Sequence, residues 1–321
     1  GRHHHWVVAD KGRIFIMNII STIIPIFIII FLGLFAKQKG FITQDFLHQG
    51  NRLVYYIAIP AMIFSSISKA ALKTQMNFAV ISITLGSLVA IMAVALGISR
   101  FLKMTRPSKG SFIQCSFHGN LGYIGLAVAF YYLGDSGFVK AAILSGFVMI
   151  LQNIMAVIVL QYHTGNNKDR PKIFDTMKKT MANPVILSAL AGISFSLLNI
   201  PMPLILDRAL QILTGMALPL ALLIIGASLS FEKLKPRFLN VLISSFLKVI
   251  VAPAIGFVLF KFFSVHPKDY LPGLILLASP TATLAYIMAK EIGGDPDYAV
   301  AAISICTIIS GLTYGLWLSI V

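Results

Sequence analysis

The chain alternates between long apolar runs and short polar, mostly basic connections. A helix that crosses the hydrocarbon core of a bilayer needs roughly 20 mostly apolar residues. Ten stretches meet that requirement: residues 17–37, 50–68, 76–100, 110–133, 138–162, 182–199, 209–230, 238–263, 270–290 and 298–320. The pattern therefore predicts an all-α membrane protein of ten transmembrane helices. Most connections are too short to hold a separate soluble domain. The longest, residues 163–181, is polar and basic and reads as a cytoplasmic linker.

The same pattern repeats. Pro25 and Gly33 recur 159 positions later as Pro184 and Gly192, and Pro60 recurs as Pro219. Gly134-Asp135 and Ala141-Ala142-Ile143 recur 160 positions later as Gly294-Asp295 and Ala301-Ala302-Ile303. Residues 17–162 and 176–321 thus read as two weakly related copies. The division is a first five-helix repeat over 17–162, the linker 163–181 and a second repeat over 182–321. An odd number of spans per copy inserts the second copy upside down. Paired inverted repeats are an architecture of secondary transporters, with the substrate site near the midplane where broken helices meet.

Composition sharpens this picture. The chain has 321 residues, 57% hydrophobic and 12% charged, with a mean hydropathy of +0.86. Soluble domains carry about 25% charged residues, so most of this chain is solvated by lipid. A net charge of +15 would suggest nucleic acid only if it clustered on a soluble face. Here it lies between apolar runs, and no nucleic-acid partner is expected.

The basic residues instead report orientation. Connections after odd-numbered spans hold 16 Lys and Arg, from Lys37 to Lys290, against 6 on the other side (Lys69, Lys73, Lys140, Arg208, Lys261 and Lys268). The odd connections are expected in the cytoplasm of a cell with the protein in its inner (plasma) membrane, and both termini outside or in the periplasm. Residues 1–16, with His3, His4 and His5 able to bind a metal, read as a tag or linker remnant before a native start at Met17. Cys115 and Cys306 lie inside apolar spans and read as small apolar residues.

Two spans carry interruptions at matching repeat positions. Span four reads FIQCSFHGNLGYIGLAVAFYY, with Gly119, Gly122 and Gly125 every third residue and His118 and Asn120 among them. Glycine lowers helix propensity by about 1 kcal/mol relative to alanine. Span nine reads LILLASPTATLAYIMAK, and Pro280 stands 160 positions after Asn120. Proline removes a backbone donor and clashes with the carbonyl four residues back. Ser279, Thr281 and Thr283 can satisfy the freed groups. Irregular backbone at this depth survives only where it lines a cavity or is buried in protein. The alternative is ordinary packing, since Gly and Pro are common in membrane helices.

These residues also carry a family resemblance. The string Gly119-Asn120-Leu121-Gly122-Tyr123-Ile124-Gly125-Leu126, the pair Asn183-Pro184, and Leu218-Pro219 with Ile225-Gly226-Ala227-Ser228-Leu229 resemble the auxin efflux carrier family. That family includes plant PIN-type auxin carriers and bacterial carriers associated with malonate and other organic anions. The resemblance runs over nearly the whole chain from Met17. It implies ten helices in two inverted repeats, a scaffold and a transport domain, helices four and nine crossing at their breaks, and a site at that crossing. Ala127 stands where the family often has a proline, so the break in span four rests on Gly119 to Gly125.

The expected site is lined by His118, Asn120, Tyr123, Pro280 and Thr281, with Asn153 as a side wall. Gln152, Tyr56 and Ser65 are further polar residues within spans. Lys248 in span eight is the one ionisable residue besides His118 near the middle of a span. It reads either as a counter-charge for an anion or a helix C-terminus, or as a packed side chain neutralising carbonyls. No Asp or Glu lies mid-span; Asp135, Glu291, Asp295 and Asp297 sit near span ends. Half-helix N-termini beginning at the breaks suit an anion. The partners expected are therefore a small organic anion (a carboxylate, auxin-like or dicarboxylate) and the lipid bilayer. No cofactor is expected. Coupling to Na⁺ or to H⁺ through His118 and a homodimeric state are left open.

Other function classes fit less well. A sensor on a transporter scaffold would need an output domain. No HExxH, paired mid-span aspartates or GxSxG with a base supports an enzyme. A channel would call for subunit symmetry about a pore.

Overall fold

A computed structural model describes residues 2–70, 77–164, 178 and 181–321, with side chains from Met17 onward. Residues 165–177, most of the expected linker, lie outside the described residues. The described chain is helical, with no strand beyond one isolated bridge between Gly119 and Thr281. In chain order the helices are α1 (Arg2–Gln38), α2 (Gln44–Leu53), α3 (Ile59–Ser68), α4 (Phe78–Ser99), α5 (Arg106–Phe117), α6 (Leu126–Thr164), α7 (Pro184–Leu197), α8 (Leu204–Ser228), α9 (Phe238–Phe246), α10 (Ala252–Phe262), α11 (Pro267–Leu277), α12 (Leu284–Ile292) and α13 (Pro296–Ser319).

Six helical runs among the described residues are long and apolar enough to cross a membrane: Met17–Gln38, Phe78–Ser99, Leu121–Thr164, Leu204–Ser228, Lys235–Phe262 and Pro296–Ser319. The 44-residue run Leu121–Thr164 contains one non-helical residue, Gly134, at φ 66° and ψ −169°. That left-handed φ favours glycine, which has no Cβ to clash. The other expected spans appear as shorter or interrupted helices. Two of the six runs include a π-helical turn, at Leu121–Gly125 and Leu247–Val251, and a third such turn, Val54–Ala58, joins α2 to α3.

Local sequence explains the helix starts. Thr43, Asn77, Thr105, Asn183 and Asp295 each accept a backbone N–H of the first turn through the side chain. Such caps satisfy donors that have no partner inside the helix. Proline follows directly after Asn183 and Asp295 and is preset for the first helical position. Asp295 also pairs with Arg237 at 3.3 Å and accepts from Ser108 at 2.6 Å, so three separate elements meet at one helix start.

The packing is that of a helix bundle with apolar residues on both sides of its outer helices. In α1, Ile19, Ile23, Ile26 and Ile30 are buried, whereas Ile20, Ile24, Ile28, Phe31 and Phe35 are exposed. A helix that is apolar all round belongs in a large core or a membrane. The inner face packs without room for a single added atom. A Cβ on Gly33 would stand 2.1 Å from the Leu223 carbonyl oxygen of α8, and one on Gly226 would stand 1.7 Å from that of Ile30 in α1. Small residues let membrane helices approach at backbone distance. Gly192 of α7 makes a similar contact, its Cβ position lying 3.3 Å from the Phe64 carbonyl oxygen of α3. Gly192 follows Gly33 by 159 positions, and Leu223 follows Phe64 by the same 159.

Candidate functional site

Two helices break where they meet. The first break spans His118 to Asn120, with φ/ψ of −77°/97° at His118 and −79°/71° at Asn120. The second lies between Leu277, where α11 ends, and Leu284, where α12 begins. The two extended stretches run antiparallel. The Asn120 N–H donates to the Pro280 carbonyl at 2.7 Å, and the Ala282 N–H donates to the His118 carbonyl at 2.9 Å. This is a single rung of sheet between halves of the chain 160 residues apart. Pro280 contributes only its carbonyl, having no N–H to place.

The non-helical residues are His118, Gly119 and Asn120. Gly122 and Gly125, expected to share the break, lie instead in the π-helical turn that restarts the helix. The reason is steric. A Cβ on Gly119 would meet Ser279 Oγ at 2.5 Å and Lys248 Cε at 3.3 Å, so glycine is needed for the crossing strands to touch. At Gly122 a Cβ would meet only Met149 Cε, at an ordinary 3.5 Å. Gly125 is intermediate, with Leu276 Cδ2 at 3.1 Å.

Buried backbone in lipid must be paired, and the partners here come from across the bundle. Gln152 of α6 acts like a third strand. Its Oε1 accepts the Gly119 N–H at 3.0 Å, and its Nε2 donates to the Gly119 carbonyl at 3.1 Å. The last four carbonyls of α11 are also all accounted for. Leu274 receives the Ala278 N–H, Ile275 the Tyr314 hydroxyl, Leu276 the Ser279 hydroxyl, and Leu277 the Lys248 ammonium at 2.7 Å. Thr281 donates its hydroxyl to the Cys115 carbonyl at 2.9 Å, and its N–H meets Cys306 Sγ at 3.4 Å. Cys306 is thus an acceptor as well as an apolar filler. Thr283 makes no capping bond through its side chain.

Several unpaired polar atoms lie near the first break. Asn120 Nδ2, His118 Nε2, Gln114 Oε1 and Asn153 Oδ1 are buried and have no hydrogen-bond partner. Asn120 Oδ1 accepts the Tyr123 N–H at 3.4 Å, and the second imidazole nitrogen, Nδ1, lies 3.4 Å from Gln114 Nε2. Asn153 stands beside the His118 ring but outside hydrogen-bond geometry. Tyr123 reaches away from the crossing, its hydroxyl donating to Asn51 Oδ1 of α2. Leaving a buried polar atom unpaired costs about 1–3 kcal/mol.

The structure therefore brings His118, Asn120, Asn153, Pro280 and Thr281 together, with Gly119 and Ser279 forming the contact. Tyr123 belongs to the rim, joined to another helix. Tyr56 is exposed and Ser65 is buried in α3 without a place at the crossing. Gln114 and Asn51 were not singled out by sequence. Gln114 precedes His118 by one helical turn, and that spacing was the available signal. A small cavity lined by Asn77, Val80, Lys140, Asp269 and Pro272 lies at the Lys140–Asp269 ion pair rather than at the crossing.

The profile of the family described as "Membrane transport protein" matches residues 18–318. Relatives match along nearly their whole length. A Rhizobium meliloti protein named "Putative malonate transporter" is 25% identical over 92% of this chain and 93% of its own. An uncharacterized transporter of Methanocaldococcus jannaschii is 25% identical over 92% and 97%, and one of Escherichia coli is 22% identical over 93% and 96%. The chain belongs to the membrane transport protein family, the auxin efflux carriers that its glycine and proline motifs resemble. It is a multi-pass membrane transporter, and its family and relatives point away from an enzyme.

Proposed function

We propose that this member of the family is a secondary active carrier that moves a small organic anion across the inner (plasma) membrane by alternating access at the crossing of residues 118–120 and 279–282. The observation that carries the reading is the set of unpaired buried groups beside that crossing, above all the free Asn120 Nδ2 donor. Helices restart directly after each break, at Leu121 and Leu284. Their N-termini carry partial positive charge, which suits a carboxylate without a basic side chain in direct contact.

The reading includes ten spans in two inverted repeats. Gly134 divides the 44-residue helical run into two crossings, and the interrupted helices at 118–120 and 278–283 are spans four and nine. The matched glycine contacts, Gly33 on Leu223 and Gly192 on Phe64, support a twofold relation between the copies. In this reading α1, α3, α7 and α8 form the scaffold. The helices carrying the crossing move against it, with both termini outside and odd connections in the cytoplasm.

Uptake into proteoliposomes tests the reading. Malonate, the acid in the name of the Rhizobium meliloti relative, is the first substrate, followed by a panel of small mono- and dicarboxylates and aromatic acids. Time-dependent accumulation above that of empty liposomes is expected for at least one acid. If no acid in the panel enters under any ion gradient, the organic-anion reading fails.

A further inference from the structure

We propose that the ammonium of Lys248 is a built-in counter-ion: it occupies the cation position at the C-terminal end of the half-helix Pro267–Leu277, so that the carrier holds its anion without Na⁺ or any other free metal cation. The inference rests on the anion-carrier reading above and adds the identity of the charge that balances the substrate.

The C-terminal end of a helix carries about half a negative charge. In carriers with discontinuous helices, unwound carbonyls and half-helix C-termini are where a coupling cation is coordinated. Here that place is taken. Lys248 Nζ donates to the Leu277 carbonyl, the last of α11, at 2.7 Å. The side chain is 1% exposed. Its head therefore does not snorkel to an interface, as a lysine near a span end would.

No ion pair to Lys248 exists among the described residues. The groups around it are neutral. Cys306 adjoins both Lys248 and Ser245. An ammonium has three N–H donors, and one is accounted for by Leu277. The stem passes under the crossing, within 3.3 Å of where a Cβ on Gly119 would stand. The fixed charge thus adjoins Gly119 at the crossing and lies within electrostatic reach of the His118 ring. An intramembrane charge with no acidic partner is expensive. A visiting carboxylate would supply the missing opposite charge, and a free cation would be repelled.

The test uses the purified full-length chain in detergent, with melting temperature measured in NaCl and in choline chloride at equal ionic strength, with and without malonate. The wild type is expected to melt at the same temperature in both salts and to gain the same stabilisation from malonate in both. Lys248→Met is expected to bind malonate about 30-fold more weakly or worse and to acquire a stabilisation specific to Na⁺. Lys248→Ala is expected to regain stability with added ethylammonium. A Na⁺-specific rise in the melting temperature of the unliganded wild type overturns the inference, whatever happens to the variants. So does a Lys248→Met protein that matches the wild type in both salts. If malonate stabilises nothing, the substrate reading is at fault, and the salt comparison still decides the counter-ion.

Discussion

Asn120 has one side-chain atom committed and one free. Its Oδ1 holds the Tyr123 N–H, and its Nδ2 has no partner. Asn120→Asp keeps the acceptor and replaces the donor with negative charge. It should abolish binding of a carboxylate, whereas Asn120→Ala should weaken binding by about tenfold, the value of one hydrogen bond to a charged group. Malonate-induced melting shifts on monodisperse protein would measure both, and an Asn120→Asp protein that binds normally would remove Asn120 from the site. Gln152 plays a different part, pairing both polar groups of Gly119. Gln152→Leu should cost about 2–6 kcal/mol, two backbone groups losing their partners, and should lower thermal stability even without ligand. His118, Asn120, Pro280 and Thr281 are conspicuous in sequence because polar residues and proline are rare in apolar runs. The role of Gln152 was not readable, because nothing in a linear pattern says which amide a broken strand will meet.

At the level of helices, the breaks have different legibility. Pro280 and the glycines announce an interruption, yet only Gly119 of the three lies in extended backbone. Which glycine unwinds is decided by Ser279 and Lys248 on neighbouring elements, and so by tertiary contact. The π-helical turns at Val54–Ala58 and Leu247–Val251 each end two residues before a proline, Pro60 and Pro253, and Gly134, which the pattern places in a connection, is the kink at which two helical stretches join. The α1–α8 contact makes a sharp prediction. Gly226→Ala puts a methyl 1.7 Å from a backbone carbonyl oxygen, where no rotamer offers relief. Overpacking usually costs about 1–3 kcal/mol, and here the upper end or loss of the folded protein is expected. Gly122→Ala, with 3.5 Å of room to a flexible methionine, should melt within a degree or two of the wild type. Size-exclusion profiles and melting curves of the two variants side by side would decide it.

For the molecule as a whole, charge distribution predicts topology. A single cysteine at Ser264 should react with an impermeant maleimide on intact cells, whereas one at Asn166 should react only after the cells are permeabilised. The native Cys115 and Cys306 are buried and should stay silent. Reaction of both from one side would overturn the orientation and the inverted repeat together. The proposed repeat is faint in sequence because lipid tolerates any apolar residue, so only glycines, prolines and caps with fixed duties would keep their places. The bridge between Gly119 and Thr281 also bears on how the protein is made. The first break cannot complete its backbone pairing until Pro280 and Ala282 have been synthesised, 160 residues later. At about 5–20 residues per second that delay lasts roughly 8–30 seconds, during which the nascent first half sits in the bilayer with open polar groups. A chain cut in the 163–181 connection and produced as two polypeptides should therefore accumulate only when both are expressed together, each half acting as the other's folding partner.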